Sequence, residues 1–236
     1  MTWRALVRSP HSLAVGSNTV DILDQAASEK YLGRKLCFED SQATELRNRI
    51  ACGWGSFHKH KNELCSKFYS LQDRCRLFDA VVTPSILYAC ATWALTQKME
   101  KKLITVRRRM LRYVFRLHKM RTQGPDSPLE DWVEFVQRTA HRVDAIAEDH
   151  CMDDWVIQYR RRKWRFVGKT ARCDDKRWSQ IILNWTPNFG FGRSRGAPKT
   201  RWSDQLVKFA GGDWMSHAQN EDQWCSSEDI FANWTF

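Results

Sequence analysis

Lys98-Met99-Glu100-Lys101-Lys102-Leu103-Ile104-Thr105-Val106-Arg107-Arg108-Arg109-Met110-Leu111-Arg112-Tyr113-Val114-Phe115-Arg116-Leu117-His118 is the stretch on which the reading of this chain turns. Leu103, Val106, Met110, Val114 and Leu117 recur at spacings of 3, 4, 4 and 3, which is one face of an amphipathic helix over 98–118. The other faces carry Lys101, Lys102, Arg107, Arg108, Arg109, Arg112 and Arg116. Such a helix buries one side in a core and offers the rest to water or to an anionic partner.

Working outward, the pattern stays helical. Leu46, Ile50, Trp54, Phe57, Leu64 and Phe68 mark one face of a long preceding helix, with Ser41 as its cap and Gly53 and Gly55 as weak points. The run Leu71–Leu95 is apolar nearly all round and predicts a buried helix pair or a helix bent at Pro84. Residues 132–150 and 155–173 read as two further helices, Pro187–Pro198 as a loop and 199–209 as a short helix. Upstream, 28–40 alternates loosely and suits a hairpin, while 1–27 has no sustained periodicity. The expected fold class is mostly α: a short N-terminal β-hairpin, a helical bundle over 41–123, and a second small helical region over 129–210. Gly124-Pro125-Asp126-Ser127-Pro128 marks the boundary between the two helical regions, and 211–236 forms an acidic tail.

Charge is concentrated rather than spread. The formal net charge is +11, and Lys98–Arg121 holds ten Lys/Arg against one acid, Glu100. Asp126–Asp154 holds nine acids against Arg138 and Arg142, and Arg160–Arg177 holds nine bases against Asp174 and Asp175. After Lys208 there are five acids and no base. A solvated helix face normally mixes signs, so these lopsided blocks point to phosphate. Tyr159-Arg160-Arg161-Arg162-Lys163-Trp164-Arg165-Phe166 interleaves rings with cations, as a strand-binding groove does; rings of that kind also serve simply as core.

Other chemistries are excluded or weak. The eight cysteines form no C-x-x-C pair and fall in helical patterns. On one helix Cys52 and Cys65 would stand roughly 20 Å apart, too far for one zinc ion to bridge. No zinc is expected. Cys151-Met152-Asp153-Asp154 has the letters of a two-metal aspartate pair, but not its strand–turn–strand surroundings. No apolar run is long enough to span a bilayer and no signal peptide is evident, so an intracellular, cytoplasmic or nuclear, chain is expected.

Three segments carry a family likeness. Lys30-Tyr31-Leu32-Gly33 resembles the KYLG segment that closes the palm of non-LTR (LINE-type) retrotransposon reverse transcriptases and grips the primer. The stretch from Arg76 to Trp93, read Arg-Leu-Phe-Asp-Ala-Val-Val-Thr-Pro-Ser-Ile-Leu-Tyr-Ala-Cys-Ala-Thr-Trp, resembles their thumb segment, and an Arg-rich helix follows it as in that family. Arg195-Gly196-Ala197-Pro198-Lys199-Thr200-Arg201-Trp202 is similar to their RGRPKTRW box. The likeness covers about 28–210. It implies that the family's catalytic aspartates, which use magnesium, lie upstream of Lys30, leaving this part a binding piece without catalytic residues or cofactor. It further implies that Tyr31 and Gly33 line the primer strand. Lys101, Arg107, Arg108, Arg112 and Arg116 would form one phosphate-contact set, Arg160, Arg161, Arg162, Lys163, Trp164 and Arg165 a second, with Lys199 and Arg201 beside them. RNA or an RNA–DNA template-primer is the expected partner, with no membrane and no small-molecule substrate. A rival reading makes the chain a helical scaffold in which the acidic block docks on the basic helices, Glu130, Asp131 and Glu134 taking the arginines. An autonomous nuclease is a third, weaker reading.

Overall fold

The computed structural model describes residues 12–22, 27–37, 40–121, 128–173, 178–184 and 200–234. As the sequence implies, the chain is mostly helical with a short antiparallel hairpin near its start. It forms two units, one up to Asn48 and one from Arg49 onward.

In the first unit, β1 (Ser12–Val15) pairs with β2 (Asn18–Asp21), although 1–27 shows no strand periodicity. A second hairpin joins β3 (Glu29–Tyr31) to β4 (Arg34–Leu36), within the predicted 28–40. Its two-residue turn is Leu32-Gly33, with φ of 47° and 82°. Both residues of a type I′ turn need positive φ, which glycine adopts without strain. Lys35 N–H donates to Glu45 Oε2 at 2.6 Å, tying this hairpin to α1 (Ser41–Lys59). Asp40, not Ser41, caps that helix, its Oδ1 accepting from Ala43 N–H at 3.2 Å.

The second unit holds the rest of α1, then α2 (Lys61–Leu64), α3 (Leu71–Ile86), α4 (Gln97–Val114), α5 (Trp132–Asp149) and α6 (Trp155–Ala171). The smaller α7 (Trp178–Asn184), α8 (Asp204–Ala210), α9 (Trp214–His217), α10 (Glu221–Ser226) and α11 (Glu228–Asn233) follow. α1 continues through Gly53, whose missing side chain lets α3 approach: a Cβ there would lie 2.2 Å from Ile86 Cδ1.

Of the apolar run 71–95, the first 16 residues form one helix. Pro84 is accommodated inside α3, which ends at Ile86; Ala89 then turns left-handed at φ 51° and a 3-10 turn spans Cys90–Thr92. Trp93, Ala94 and Leu95 are buried in a non-helical segment before Thr96 caps α4. α4 itself stops at Val114, short of the predicted His118. Arg116 adopts φ 57°, with Leu117 N–H bonding Arg112 O and Arg116 N–H bonding Tyr113 O, a Schellman closure. Its buried face is Glu100, Leu103, Arg107, Met110, Leu111, Arg112 and Val114.

Helices from both sides of 124–128 share one unit. Phe78 of α3 stacks on Trp155 of α6 with centroids 5.9 Å apart, and Trp155 Nε1–H donates to Thr83 Oγ1. The acidic tail is folded too. Trp214, Ala218, Trp224 and Phe231 bury against Trp164, Val167 and Ala171 of α6. Trp164 and Trp224 lie face to face at 3.7 Å, and each indole N–H donates to the other residue's carbonyl. Gly168 makes this possible, since a Cβ there would sit 2.6 Å from Trp224 Cδ1.

Gly168→Ala therefore decides between propensity and packing. Helix propensity alone would raise stability by about 1 kcal/mol. The clash should reverse the sign and lower stability by roughly 1–3 kcal/mol in urea unfolding; a raised midpoint would show that Trp224 swings aside freely.

Candidate nucleic-acid interface

The two basic blocks behave differently once folded. On α6 nearly every cation of the cluster has an internal partner. Arg160 is buried and pairs with Glu100 at 2.7 Å while donating to Trp234 O at 2.6 Å. Arg161 pairs with Asp153 and with Asp229. Arg162, exposed, donates to Leu87 O at 3.2 Å. Arg165 grips Glu228 through both Nε and Nη2. Trp164 is core, so it offers no face to a base. The tail's Asp229 and Glu228 thus pair with Arg161 and Arg165, two cations of the helix that the sequence nominates as the second contact set.

Lys163 is the extreme case, fully buried with its Nζ donating to Gln205 Oε1 at 3.1 Å and to Tyr159 Oη at 3.3 Å. Burial disfavours its ammonium, and the pKa falls to about 7 despite the Glu100 and Asp204 carboxylates.

On α4 the arginines of the first set turn towards α5 and the α5–α6 turn. Arg107 is buried, donates to Met152 O at 2.8 Å and lies 3.7 Å from Asp154. Arg108 makes a two-pronged pair with Asp144. Arg112 donates to Thr139 Oγ1 at 2.7 Å, its guanidinium 5.8 Å from the Phe135 ring. This is internal docking, but not on the acids the sequence suggests. Glu130 is taken by Arg138 and by Met120 N–H, and that ion pair with Arg138 holds its carboxyl down at about 2. Asp131 and Glu134 close the capping box of α5.

The Asp153-Asp154 pair has a structural explanation. Cys151 turns left-handed at φ 54°, Met152 N–H closes α5 onto Ala147 O, and Asp154 caps α6 through Val156 N–H at 2.7 Å. Among the described residues no group of three His, Cys, Asp or Glu side chains is placed to hold a metal. Cys75 and Cys90 are buried thiols pushed up to about 11, chiefly by desolvation.

What remains outward on α4 is a row of lysines, of which the sequence reading names only Lys101 as a contact. Lys98, Lys101 and Lys102 are exposed, and Arg109 continues the row about two turns after Lys102. Glu100, the single acid of the block, points the other way, into Arg160 and Gln205 Nε2. Helix geometry carries this signal: with Leu103, Met110 and Val114 inward, positions 98, 102, 105 and 109 fall opposite. Of the predicted site residues, Lys101 lies in this row, and Arg116 is exposed at the helix end. Tyr31 is exposed beside the hairpin turn that contains Gly33, in the first unit. Arg201 is exposed ahead of α8, and Lys199 lies outside the described residues.

Over 235 residues the chain is 24% identical to a Caenorhabditis elegans protein described as transposon-derived, the match spanning 94% of this chain and 77% of that protein. The match fits a transposable-element origin. No family model and no solved structure matches the chain. No described helix is long and apolar enough to cross a membrane.

Two outcomes test the internal assignments. Arg112→Gln should cost about 1–3 kcal/mol, because it loosens a buried hydrogen-bonded set; unchanged urea unfolding would return Arg112 to the surface. For Lys163, the unfolded chain holds a proton up to about 10.5 while the folded chain releases it near 7. Folding therefore sheds a proton, and stability should rise from pH 7 towards about 8.5, below the thiol range, by up to ~1.4 kcal/mol per unit. Lys163→Met should abolish that rise, and identical slopes in the two proteins would contradict it.

Proposed function

We propose that this chain is the primer-grip, thumb and post-thumb part of a non-LTR retrotransposon reverse transcriptase, and that it holds RNA or an RNA–DNA template-primer by its phosphates. Three lines support the reading: the ordered likeness of Lys30–Gly33, Arg76–Trp93 and Arg195–Trp202 to that family, the transposon-derived relative, and the outward row on α4. The row is the observation that carries it. Lys98, Lys101, Lys102 and Arg109 stand along one helix side with no described carboxylate paired to them, their block's acid being spent in the core. Phosphate binding by such a row is sequence-independent and driven by counterion release.

The hairpin fits the same role. Tyr31 and Leu32 are among the most exposed large side chains of the first unit, at the tip where a primer strand would pass. No residue is assigned a catalytic role and the fragment is assigned no cofactor; the reading places it inside the cell, in cytoplasm or nucleus.

The scaffold reading has a specific observation in its favour, the docking of α5 and tail acids on α4 and α6 arginines. That docking leaves the lysine row uncompensated, which is why nucleic acid is preferred.

The triple variant Lys98→Gln, Lys101→Gln, Lys102→Gln should weaken binding to every mixed-sequence duplex alike and lower the log–log salt slope by about 2–3 units, each phosphate contact contributing ~0.9. Its melting temperature should stay put, since exposed charges contribute little to stability. An unchanged slope measured by fluorescence anisotropy would remove the row from the interface.

A further inference from the structure

The α4 row leads into a recess of different character. Where the end of α1 meets α4, a cavity of about 270 Å³ is lined by Trp54, Phe57, His58, Lys61, Arg109 and Tyr113. Phe57 is its buried floor, 1% exposed, and Tyr113 is half exposed at its wall. Tyr113 stands edge-on to Trp54, ring centroids 6.3 Å apart at 79°, and tilts over Phe57 at 6.1 Å. The Arg109 guanidinium lies 5.5 Å from the Trp54 ring centre, with His58 against the same indole at 5.6 Å. Lys61 and Arg109 are exposed.

This lining combines two chemistries that seldom serve one ligand. Aromatic walls and a guanidinium plane take flat ring systems by stacking. Lys61, Arg109 and His58 favour an anion, and no carboxylate lies among the lining residues. An ammonium ligand, the usual guest of an aromatic cage, would be repelled. A flat ring tethered to a phosphate satisfies both halves.

We propose that this recess holds one unpaired nucleotide of a single strand, its base against Tyr113 and the Arg109–Trp54 pair and its phosphate on Lys61. The inference rests on the nucleic-acid reading above and deepens it. The α4 lysines hold a backbone, paired or not, whereas the recess admits only a base that has left its stack. The site is indifferent to base identity, because its lining offers ring faces and cations but no set of donors and acceptors matched to one base edge. The sequence hid it, since Trp54 and Phe57 read as core on α1 and Tyr113 as one residue of the thumb-like helix.

The test uses the full chain and anisotropy with a labelled mixed-sequence single strand of about 12 nucleotides, beside the blunt duplex of the same sequence. Tyr113→Leu keeps apolar bulk but removes the stacking ring. It should weaken single-strand binding about tenfold and change duplex binding by less than about twofold, while Tyr113→Phe binds both as the parent does. Lys61→Gln, an exposed change that leaves the core alone, should lower the single-strand salt slope by about 0.7 without touching the melting point. Loss in Tyr113→Leu that is equal for both ligands, or no loss at all, would overturn the proposal, as would an unchanged slope in Lys61→Gln. Failure of the wider reading looks different: the parent protein would bind neither ligand, or would bind duplex with the α4 lysines irrelevant.

Discussion

The buried carboxylate of Glu100 joins three helices of the larger unit. One oxygen accepts from Arg160 at 2.7 Å and the other from Gln205 Nε2 at 3.1 Å, so a single side chain ties α4 to α6 and α8. Gln205 then accepts from Tyr159 and Lys163, and both of these reach the carbonyl of Trp93 in the turn before α4. Removing Glu100 would take the paired carboxylate away from the buried Arg160 guanidinium, a larger penalty than the pair's net contribution to stability. The same contact has an electrostatic consequence on the opposite side of the helix. With its one acid drawn inward, α4 presents lysines to solvent without compensation.

Clusters of arginine are poor guides to an interface unless their partners are known. Arg160 to Arg165 look like a binding ridge along the sequence, yet Glu100, Asp153, Glu228 and Asp229 occupy three of them. Guanidinium groups suit this internal role because their fixed donor fork matches carboxylates and carbonyls and they are weakly hydrated. Lysine is more strongly hydrated, and on α4 it is lysine that stays outside. On α4 the buried Arg107 and Arg112 help build the fold, while Lys98, Lys101 and Lys102 face the solvent.

The parts legible in the sequence were those fixed by near neighbours. The helix seam of Leu103, Met110 and Val114 and the hairpin within 28–40 depend on residues close in sequence. The parts that were not legible depend on distant partners. Gly53 reads as a helix weakness until Ile86 of α3 is seen lying where its Cβ would be. Gly168 does the same for Trp224, and the tail's acids find α6 across some sixty to seventy residues. Asp153-Asp154 resembles a metal pair by letters, whereas its helix-capping role is set by a left-handed Cys151. The end of α4 at Val114 turns on Arg116, and nothing in its local pattern marks it for positive φ.

Lysine acetylation read by mass spectrometry, with and without a mixed-sequence RNA–DNA duplex, tests the central claim most directly, because it reports which cations face the partner. Lys98, Lys101 and Lys102 should react in the free chain and be shielded by the duplex, while Lys163, sealed in the core, stays unreactive in both states. Shielding of Lys169 and Lys208 instead, or equal labelling of the α4 lysines in both states, would contradict the account.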